Sequence, residues 1–449
     1  MQVVVTTPAF GKHLGSRNGT FHTRPDRCES EIMEITDFTE SHRTVHAITE
    51  LREFWEQQGP DGHIVSDIVD ANGHQYVDVV MEGGGVLGIA LLGYTYALET
   101  VGIRFLGVGG TSAGAIVSTM IAALDDLDQA KSELALQHLG ELEMFEFVDG
   151  DEDVRDFIVA LLEGTKGLKL LWKASQVIDT IQERIGLNPG DAFLKWAKRV
   201  LRLSGIRKVS DLHKRFNTLP AGLSTRDGKR KLTPKTAAAG LKIVASDVTT
   251  ETKAVFPEMA DLYFKKPEEV DPAKFIRASM SIPLFFEPFR VKGLPKGKEA
   301  LERWGKLGYR GKIPPEIVFA DGGIMSNFPI DLFHDPTSKA TPLAPTFGAR
   351  LGSGLQEPNR TDRPFPYLFS VFNAARHCND VGFLRRHPDF QHLVTYIPTG
   401  SHNWLNFFLG PAEKLDLFEN GVVAAVQFLK TFNWQQYKTV RKNLKDAAT

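Results

Sequence analysis

Short β-prone runs alternate with stretches of helical spacing near the start of the chain. Residues 76–81 (Tyr-Val-Asp-Val-Val-Met) predict a strand, and residues 86–101 have the apolar spacing of a helix that ends at Gly102. Residues 103–108 predict a second strand, and residues 112–124 predict a helix of small and apolar residues. Strand, helix, strand and helix in close succession are typical of a βαβ unit, so we expect a parallel sheet.

The pattern becomes helical and strongly charged after this unit. Residues 121–163 contain 13 Asp and Glu against 2 Lys and Arg, and residues 164–242 contain 18 Lys and Arg against 5 Asp and Glu. Helical spacing recurs at residues 168–185 and 192–203. We therefore predict a helical insertion at about 125–240, with an acidic and a basic half.

Strand-like sequence returns at residues 241–246 and 316–320. Together with the βαβ unit, these runs predict an α/β fold: a central, mostly parallel sheet with helices on both faces. We assign residues 46–345 to this domain. Residues 1–45 lack a sustained period and are interpreted as an N-terminal leader.

The rest of the chain, residues 346–449, is predicted to be a C-terminal extension that packs on the core. It begins in a proline-rich stretch, and helical spacing follows at residues 368–384 and at about 419–445.

Composition excludes several classes of protein. The 449 residues have a formal net charge of -2, which gives no general attraction to nucleic acid. The 2 cysteines predict neither a disulfide framework nor a zinc site. No secretory signal and no run of about 20 apolar residues is evident, so we expect a cytoplasmic protein whose membrane contact, if any, is peripheral.

A serine lies between the second predicted strand and the helix that follows it. Gly110-Thr111-Ser112-Ala113-Gly114 is a G-x-S-x-G motif, in which Gly110 and Gly114 permit a tight turn that exposes the serine hydroxyl. In isolation, the same pentapeptide also fits a loop in which Ser112 only caps the helix. The nucleophile interpretation therefore needs support from elsewhere in the sequence.

Three glycines follow the first predicted strand. Gly83, Gly84 and Gly85, with Gly88 three residues on, open the first helix, and their N–H groups could form an oxyanion hole. Parallel strands bring this loop and Ser112 to the same sheet edge. The loop also matches G-x-G-x-x-G, but the second strand ends without the acidic residue that a dinucleotide site requires.

An acidic residue ends the strand predicted at 316–320. Asp321 is followed by Gly322 and Gly323, and a carboxylate at a strand end is placed to accept the Ser112 proton. Asp-Gly alone usually marks a turn. Its arrival after the other two motifs favours a catalytic site.

The order G-G-G-x-x-G, G-x-S-x-G, D-G-G resembles the patatin-like phospholipase family over roughly residues 76–335, and residues 244–250 and 277–288 also look familial. The resemblance implies a Ser-Asp dyad with Ser112 as nucleophile, Asp321 as base and Gly83, Gly84 and Gly85 as oxyanion donors. It implies hydrolysis of lipid acyl esters without a metal or cofactor. Leu87 stands where the family usually has Lys or Arg, which leaves the head-group preference open.

Two other functions remain open from sequence alone. A Ser-His-Asp α/β-hydrolase would recruit one of the histidines, which are His213, His334, His377, His387, His392 and His402. A non-catalytic or nucleotide-binding module would use the glycine motif. The basic half of the insertion also suggests peripheral contact with an anionic membrane surface.

Overall fold

The computed structural model describes residues 33–59, 63–140, 142, 144–162, 173, 177, 179–333, 341–352, 358, 361–362 and 364–446. The strands are β1 Ile68–Val69, β2 Gln75–Met81, β3 Ile103–Thr111, β4 Gly186–Asn188, β5 Ser224–Thr225, β6 Gly240–Asp247, β7 Thr252–Phe256, β8 Leu284–Phe286, β9 Phe289–Lys292, β10 Glu316–Ala320, β11 Thr346–Leu351 and β12 Val394–Ile397. The helices are α1 Ile35–Thr39, α2 His42–Gln58, α3 Gly88–Thr100, α4 Ala113–Ala123, α5 Ser132–Gly140, α6 Glu152–Leu162, α7 Asp191–Leu203, α8 Val209–Asn217, α9 Pro234–Ala237, α10 Ala260–Tyr263, α11 Ala273–Ser279, α12 Lys298–Lys306, α13 Pro364–Arg386, α14 Pro411–Thr431 and α15 Trp434–Asp446.

The main sheet has the strand order β12-β11-β2-β3-β6-β10-β9. Its strands from β12 to β6 are parallel, whereas β10 is antiparallel to β6 and to β9. The expected α/β fold with a central parallel sheet is confirmed, with antiparallel strands at one side that make the whole sheet mixed. All nine residues of β3 are buried, as both faces of a central parallel strand require.

One face of the sheet is covered by helices from both ends of the chain. The helix α14 lies on α3 so closely that a side chain at Gly93 would overlap the carbonyl of Phe418. From the same helix, Phe428 packs edge-on against Phe347 of β11, with 4.9 Å between ring centroids. The other face carries a short 3₁₀ helix, Ile330–Phe333, where Phe333 lies against Gly107 of β3.

The C-terminal extension is part of the sheet itself. The predicted boundary after residue 345 falls just before β11, which pairs with β2 in the middle of the sheet. The short strand β12 then pairs with β11 and ends the sheet. The strand β11 is only six residues long and follows a proline-rich stretch, so the sequence pattern did not predict it.

Two predicted elements differ in detail from the structure. The single helix expected at 419–445 is two helices, because Asn433 starts α15 by accepting a hydrogen bond from the N–H of Gln436 at 2.8 Å. Residues 33–45, expected in the leader, include α1 and the start of α2. The remaining leader, residues 1–32, and most of the helix predicted at 168–185 lie outside the described residues.

Candidate active site

Ser112 occupies a sharp turn between β3 and α4. Its φ of 53° is in the left-handed region, which costs a residue with a side chain about 1–3 kcal/mol and is typical of a nucleophile turn. The N–H of Ser112 donates to Ser279 Oγ at 2.8 Å, and its hydroxyl donates to Met280 Sδ at 3.2 Å. The serine is 3% exposed, so the turn presents its hydroxyl inside the protein.

Ser112 and Asp321 meet end to end along one side of β6. Because β7 pairs with residues 243–247 along one side of β6, β3 and β10 share the other side, where Thr111 pairs with Val244 and Ala320 pairs with Ser246. The two strands run towards each other there, so the residues that follow them, Ser112 and Asp321, both lie at the level of Ala245. The expected convergence holds for a different reason from the one predicted: β10 is antiparallel and overlaps only the last residues of β6, so its carboxyl end still reaches this edge.

The Asp321 carboxylate is buried and only partly satisfied. Its Oδ1 accepts a hydrogen bond from the N–H of Gly323 at 2.8 Å, whereas Oδ2 has no hydrogen-bond partner among the described residues. Burial raises the pKa of the Asp321 carboxyl, and the Arg376 guanidinium, the Ser112 hydroxyl and the Gly323 N–H lower it. The serine and the carboxylate are thus close enough to interact.

The glycine loop, residues 83–88, lies beside this pair. The N–H of Gly83 donates to Asn327 O at 3.0 Å, but the N–H groups of Gly84 and Gly85 make no hydrogen bond within the described ranges. Gly85 has a φ of 54°, and a side chain there would overlap the carbonyl of Trp404. Of the three predicted oxyanion donors, Gly83 is therefore occupied, and Gly84 and Gly85 are free to bind a ligand.

The other predicted glycines hold the backbone together around the two reactive side chains. A side chain would overlap Met81 at Gly110 or Gly114, Val244 at Gly322, and Asp321 itself at Gly323, whereas Gly88 is in ordinary contact with Ala113.

Three side chains near the site, Glu82, Asn327 and Arg376, were not predicted from the sequence. Asn327 donates from Nδ2 to Glu82 Oε1 at 3.2 Å and to Gly83 O at 3.1 Å. Glu82 also forms a buried ion pair with Arg350 at 3.2 Å. Arg376 donates to Gly83 O and to Asn327 Oδ1. Glu82 and Asn327 adjoin predicted motifs and could have been noticed there, but no local pattern marks Arg376 within its helix.

An apolar cavity opens beside Ser112. Its lining residues are Gly85, Val86, Gly88, Ile89, Ala113, Ile116, Val117, Leu139, Met144, Phe147, Met280 and Phe407. Only about 20 Å³ of it is open, which is space for roughly one water molecule. Phe407 stacks on Phe285 with 4.6 Å between ring centroids, so the segment after α11 meets the C-terminal extension at the cavity.

No histidine among the described residues completes a triad with this pair. In the described part of the chain, none of them hydrogen-bonds to Ser112 or Asp321. His213 pairs with Glu268, and His402 pairs with Asp416. His377 is half-buried, and burial lowers its pKa. His334 lies outside the described residues.

The sequence profile of the family described as patatin-like phospholipase matches residues 79–334. The chain belongs to the patatin-like phospholipase family. Membership in this family supports lipid acyl hydrolysis as the general activity and a lipid as the substrate.

One relative is similar beyond the matched segment, and solved structures of two other proteins also align with this chain. The uncharacterized protein YqhO of Bacillus subtilis (strain 168) is 30% identical over 361 residues, which are 80% of this chain and 100% of that protein. VipD from Legionella pneumophila aligns with 82% of this chain and 70% of its own at 18% identity and a TM-score of 0.39. The heterodimeric ExoU–SpcU complex from the type III secretion system of Pseudomonas aeruginosa aligns with 79% of this chain and 51% of that chain, at 14% identity and a TM-score of 0.33.

Within the ranges that the structure describes, none of the helices combines the length and the apolar character that a bilayer-spanning segment needs.

Proposed function

We propose that this member of the patatin-like family cleaves carboxylic esters of lipids with Ser112 as nucleophile and Asp321 as base. The observation that carries the proposal is the buried Asp321 carboxylate, whose Oδ2 is unpartnered among the described residues, close to a serine with a left-handed backbone. Buried polar atoms are rarely left unpaired without a functional reason. The unpartnered Oδ2 of Asp321 is therefore the atom that would accept the proton from the Ser112 hydroxyl.

The first half of the reaction forms an acyl-enzyme. As Ser112 Oγ bonds to the ester carbonyl carbon, its proton passes to Asp321, and the N–H groups of Gly84 and Gly85 donate to the oxyanion. The intermediate then collapses, the bond to the alcohol oxygen breaks, and the alcohol leaves with the proton from Asp321. The N-terminus of α4 behind Ser112 favours the developing negative charge.

The second half releases the fatty acid. Water attacks the acyl carbon and gives a proton to Asp321, which returns it to Ser112 Oγ as the carboxylic acid leaves. The dyad is then restored, so the cycle needs no metal or cofactor.

The acyl chain would enter the apolar cavity beside Ser112. Its walls are almost wholly apolar and include Phe407 and Met280, whose Sδ lies 3.2 Å from Ser112 Oγ. Because so little of the cavity is open, an acyl chain must displace side chains to enter it. We attribute part of the selectivity for chain length to that displacement.

Leu87 makes us propose a broad acyl-ester specificity rather than a strict preference for phospholipids. It is 5% exposed in the 3₁₀ turn Gly85–Leu87, so this position offers no cation to a lipid phosphate. Phospholipid, lysophospholipid and neutral ester should all be tested as substrates.

The decisive experiment combines a fluorophosphonate probe with the lipid panel. The wild-type protein should be labelled and active, whereas Ser112→Ala should not be labelled, and both Ser112→Ala and Asp321→Asn should lose activity by on the order of 10⁴-fold. Ser118→Ala is a matched control, because it removes another buried hydroxyl from the same turn-helix segment, one with no partner among the described residues. Labelling that persists without Ser112, or activity that depends on a downstream histidine, would contradict the dyad.

We also propose that α7 contacts anionic membranes. Its buried face includes Trp196, and its exposed residues include Arg199, Arg202 and Leu203, the last being 69% exposed. Cations attract anionic head groups, and an apolar side chain seats the helix in the interface. Sedimentation should show binding to phosphatidylglycerol-containing vesicles that Arg199→Glu with Arg202→Glu weakens; equal binding by this variant would contradict the contact.

A further inference from the structure

Arg376 reaches the active site from α13, outside the segment that carries the three sequence motifs. Its side chain is buried, and Nη2 donates to Gly83 O at 3.0 Å and to Asn327 Oδ1 at 2.9 Å. One nitrogen therefore binds both the first residue of the glycine loop and the segment that follows Asp321.

The remainder of the guanidinium group lies between aromatic rings and the Asp-Gly-Gly turn. Its central carbon is 4.9 Å from the centre of the Trp404 ring and 5.4 Å from that of Phe372. Nε has no hydrogen-bond partner in the described ranges and lies 3.1 Å from the point where a side chain at Gly323 would begin. The charge thus lies in a largely apolar setting beside the residue that binds Asp321 Oδ1.

The other charged groups around this part of the site have partners of their own. These pairs are Glu82 with Arg350, Asp380 with the N–H of Phe328, Asp247 with Thr250, and Arg277 with Ser281 and the carbonyls of Pro189 and Glu287. Of the charged side chains, Arg376 acts directly on the Asp321 carboxyl.

We infer that Arg376 is a positioning residue that joins the glycine loop to the Asp321 turn and places a positive charge beside the base. The inference rests on the proposed role of Asp321 as base. Because position 87 holds a buried leucine, the cation at this site comes from a distant helix instead of from the glycine motif. The C-terminal extension therefore contributes to the chemistry as well as to the sheet.

The inference has a distinctive consequence for pH dependence. Burial raises the pKa of Asp321 and Arg376 lowers it, so loss of the guanidinium charge must raise this pKa further. Asp321 would then be protonated, and inactive as a base, at a higher pH. The acidic limb of the kcat/KM profile should move to higher pH, which a purely structural role of Arg376 would not cause.

The test measures kcat/KM against pH for a water-soluble short-chain ester. Arg376→Gln should shift the acidic limb of the profile to higher pH by about one unit. At pH values on that limb, its kcat/KM should be roughly tenfold below that of wild type. Arg376→Lys keeps the charge and should keep the limb near the wild-type position, although the lost hydrogen bond lowers kcat. Arg385→Gln, an exposed arginine on the same helix, should match wild type.

The outcomes separate this inference from the proposed dyad. If folded Arg376→Gln loses activity at the same acidic pH as wild type, the inferred role of Arg376 is wrong. The dyad would still stand in that case, provided that Asp321→Asn is inactive. Wild-type activity in Asp321→Asn overturns the dyad itself. If circular dichroism shows that Arg376→Gln does not fold, Arg376→Lys decides, because a limb that shifts although the charge is kept contradicts the inference.

Discussion

The N–H of Ser112 donates to Ser279 Oγ across 2.8 Å, and the Ser279 hydroxyl donates to the carbonyl of Val244 at 2.6 Å. Ser279 is fully buried, and its hydroxyl links the turn that holds Ser112 to β6. A left-handed backbone at a residue with a side chain persists only where neighbouring contacts hold it. Ser279 provides one of those contacts.

We expect Ser279→Ala to impair both stability and hydrolysis. The variant leaves the Ser112 N–H and the Val244 carbonyl without their partner, which should lower the free energy of unfolding by about 1–3 kcal/mol. Urea unfolding and kcat measure the two effects. Ser118→Ala, which removes a buried hydroxyl with no partner among the described residues, should be nearly neutral. Equal results for the two variants would refute a role for Ser279 in holding the turn.

Gly85→Ala should abolish most of the activity. Position 85 combines a φ of 54° with close contact to the Trp404 carbonyl, so an added methyl group must displace the glycine loop. We expect a loss of roughly 10²-fold or more in kcat, the effect of misplacing an oxyanion donor. Gly102→Ala controls for the backbone cost, since Gly102 has a φ of 84° with nothing within 4 Å. Comparable losses in the two variants would show that φ alone is responsible.

Phe407→Ala should change the preference for acyl chain length. The substitution removes an aromatic wall of the closed cavity, so longer chains gain space beside Ser112. A series of p-nitrophenyl esters should show the optimum of kcat/KM moving to longer chains. Phe408→Ala is the control, because Phe408 stacks on Phe145, is 44% exposed and does not line the cavity. An unchanged optimum in Phe407→Ala would place the acyl chain elsewhere.

Asp380 should make folding stability fall as the pH rises. Burial raises the pKa of its carboxyl to about 6, against an ordinary value of 3.8. A carboxyl with a raised pKa favours the folded state most below its unfolded pKa, and this contribution is lost as the pH rises through about 6. Between pH 5 and pH 8, wild type should lose about 1 kcal/mol more than Asp380→Asn. Urea unfolding of both proteins at the two pH values checks this, and parallel pH dependence would show that the group is not responsible.

The three motifs and the strands that carry them were readable from the sequence because each depends on neighbouring residues. A strand that ends in glycines, and a serine between a strand and a helix, are local features. The predicted strands at 76–81, 241–246 and 316–320 accordingly match β2, β6 and β10 closely. Their order along the chain led to Ser112 and Asp321.

Other features depend on pairing between distant segments. The sequence does not show that β10 runs antiparallel to β6, that β11 lies beside β2, or that Asn327 occupies the Gly83 N–H. Strand direction and neighbour choice are decided by which buried surfaces fit together, and the apolar pattern of one strand is compatible with several neighbours.

The candidate nucleophile, the candidate base and the glycine loop could be predicted from the sequence, since turns and caps follow from a few adjacent residues. The contact of Arg376 with Gly83, 293 positions away, and the place of Phe407 in the wall of the apolar cavity are known only from the tertiary structure. A long-range contact of this kind carries no local signature, because a charged residue in a helix has the same pattern whether it faces solvent or a buried carboxylate. The positive charge that Arg376 brings to the site could therefore be found only from the folded structure.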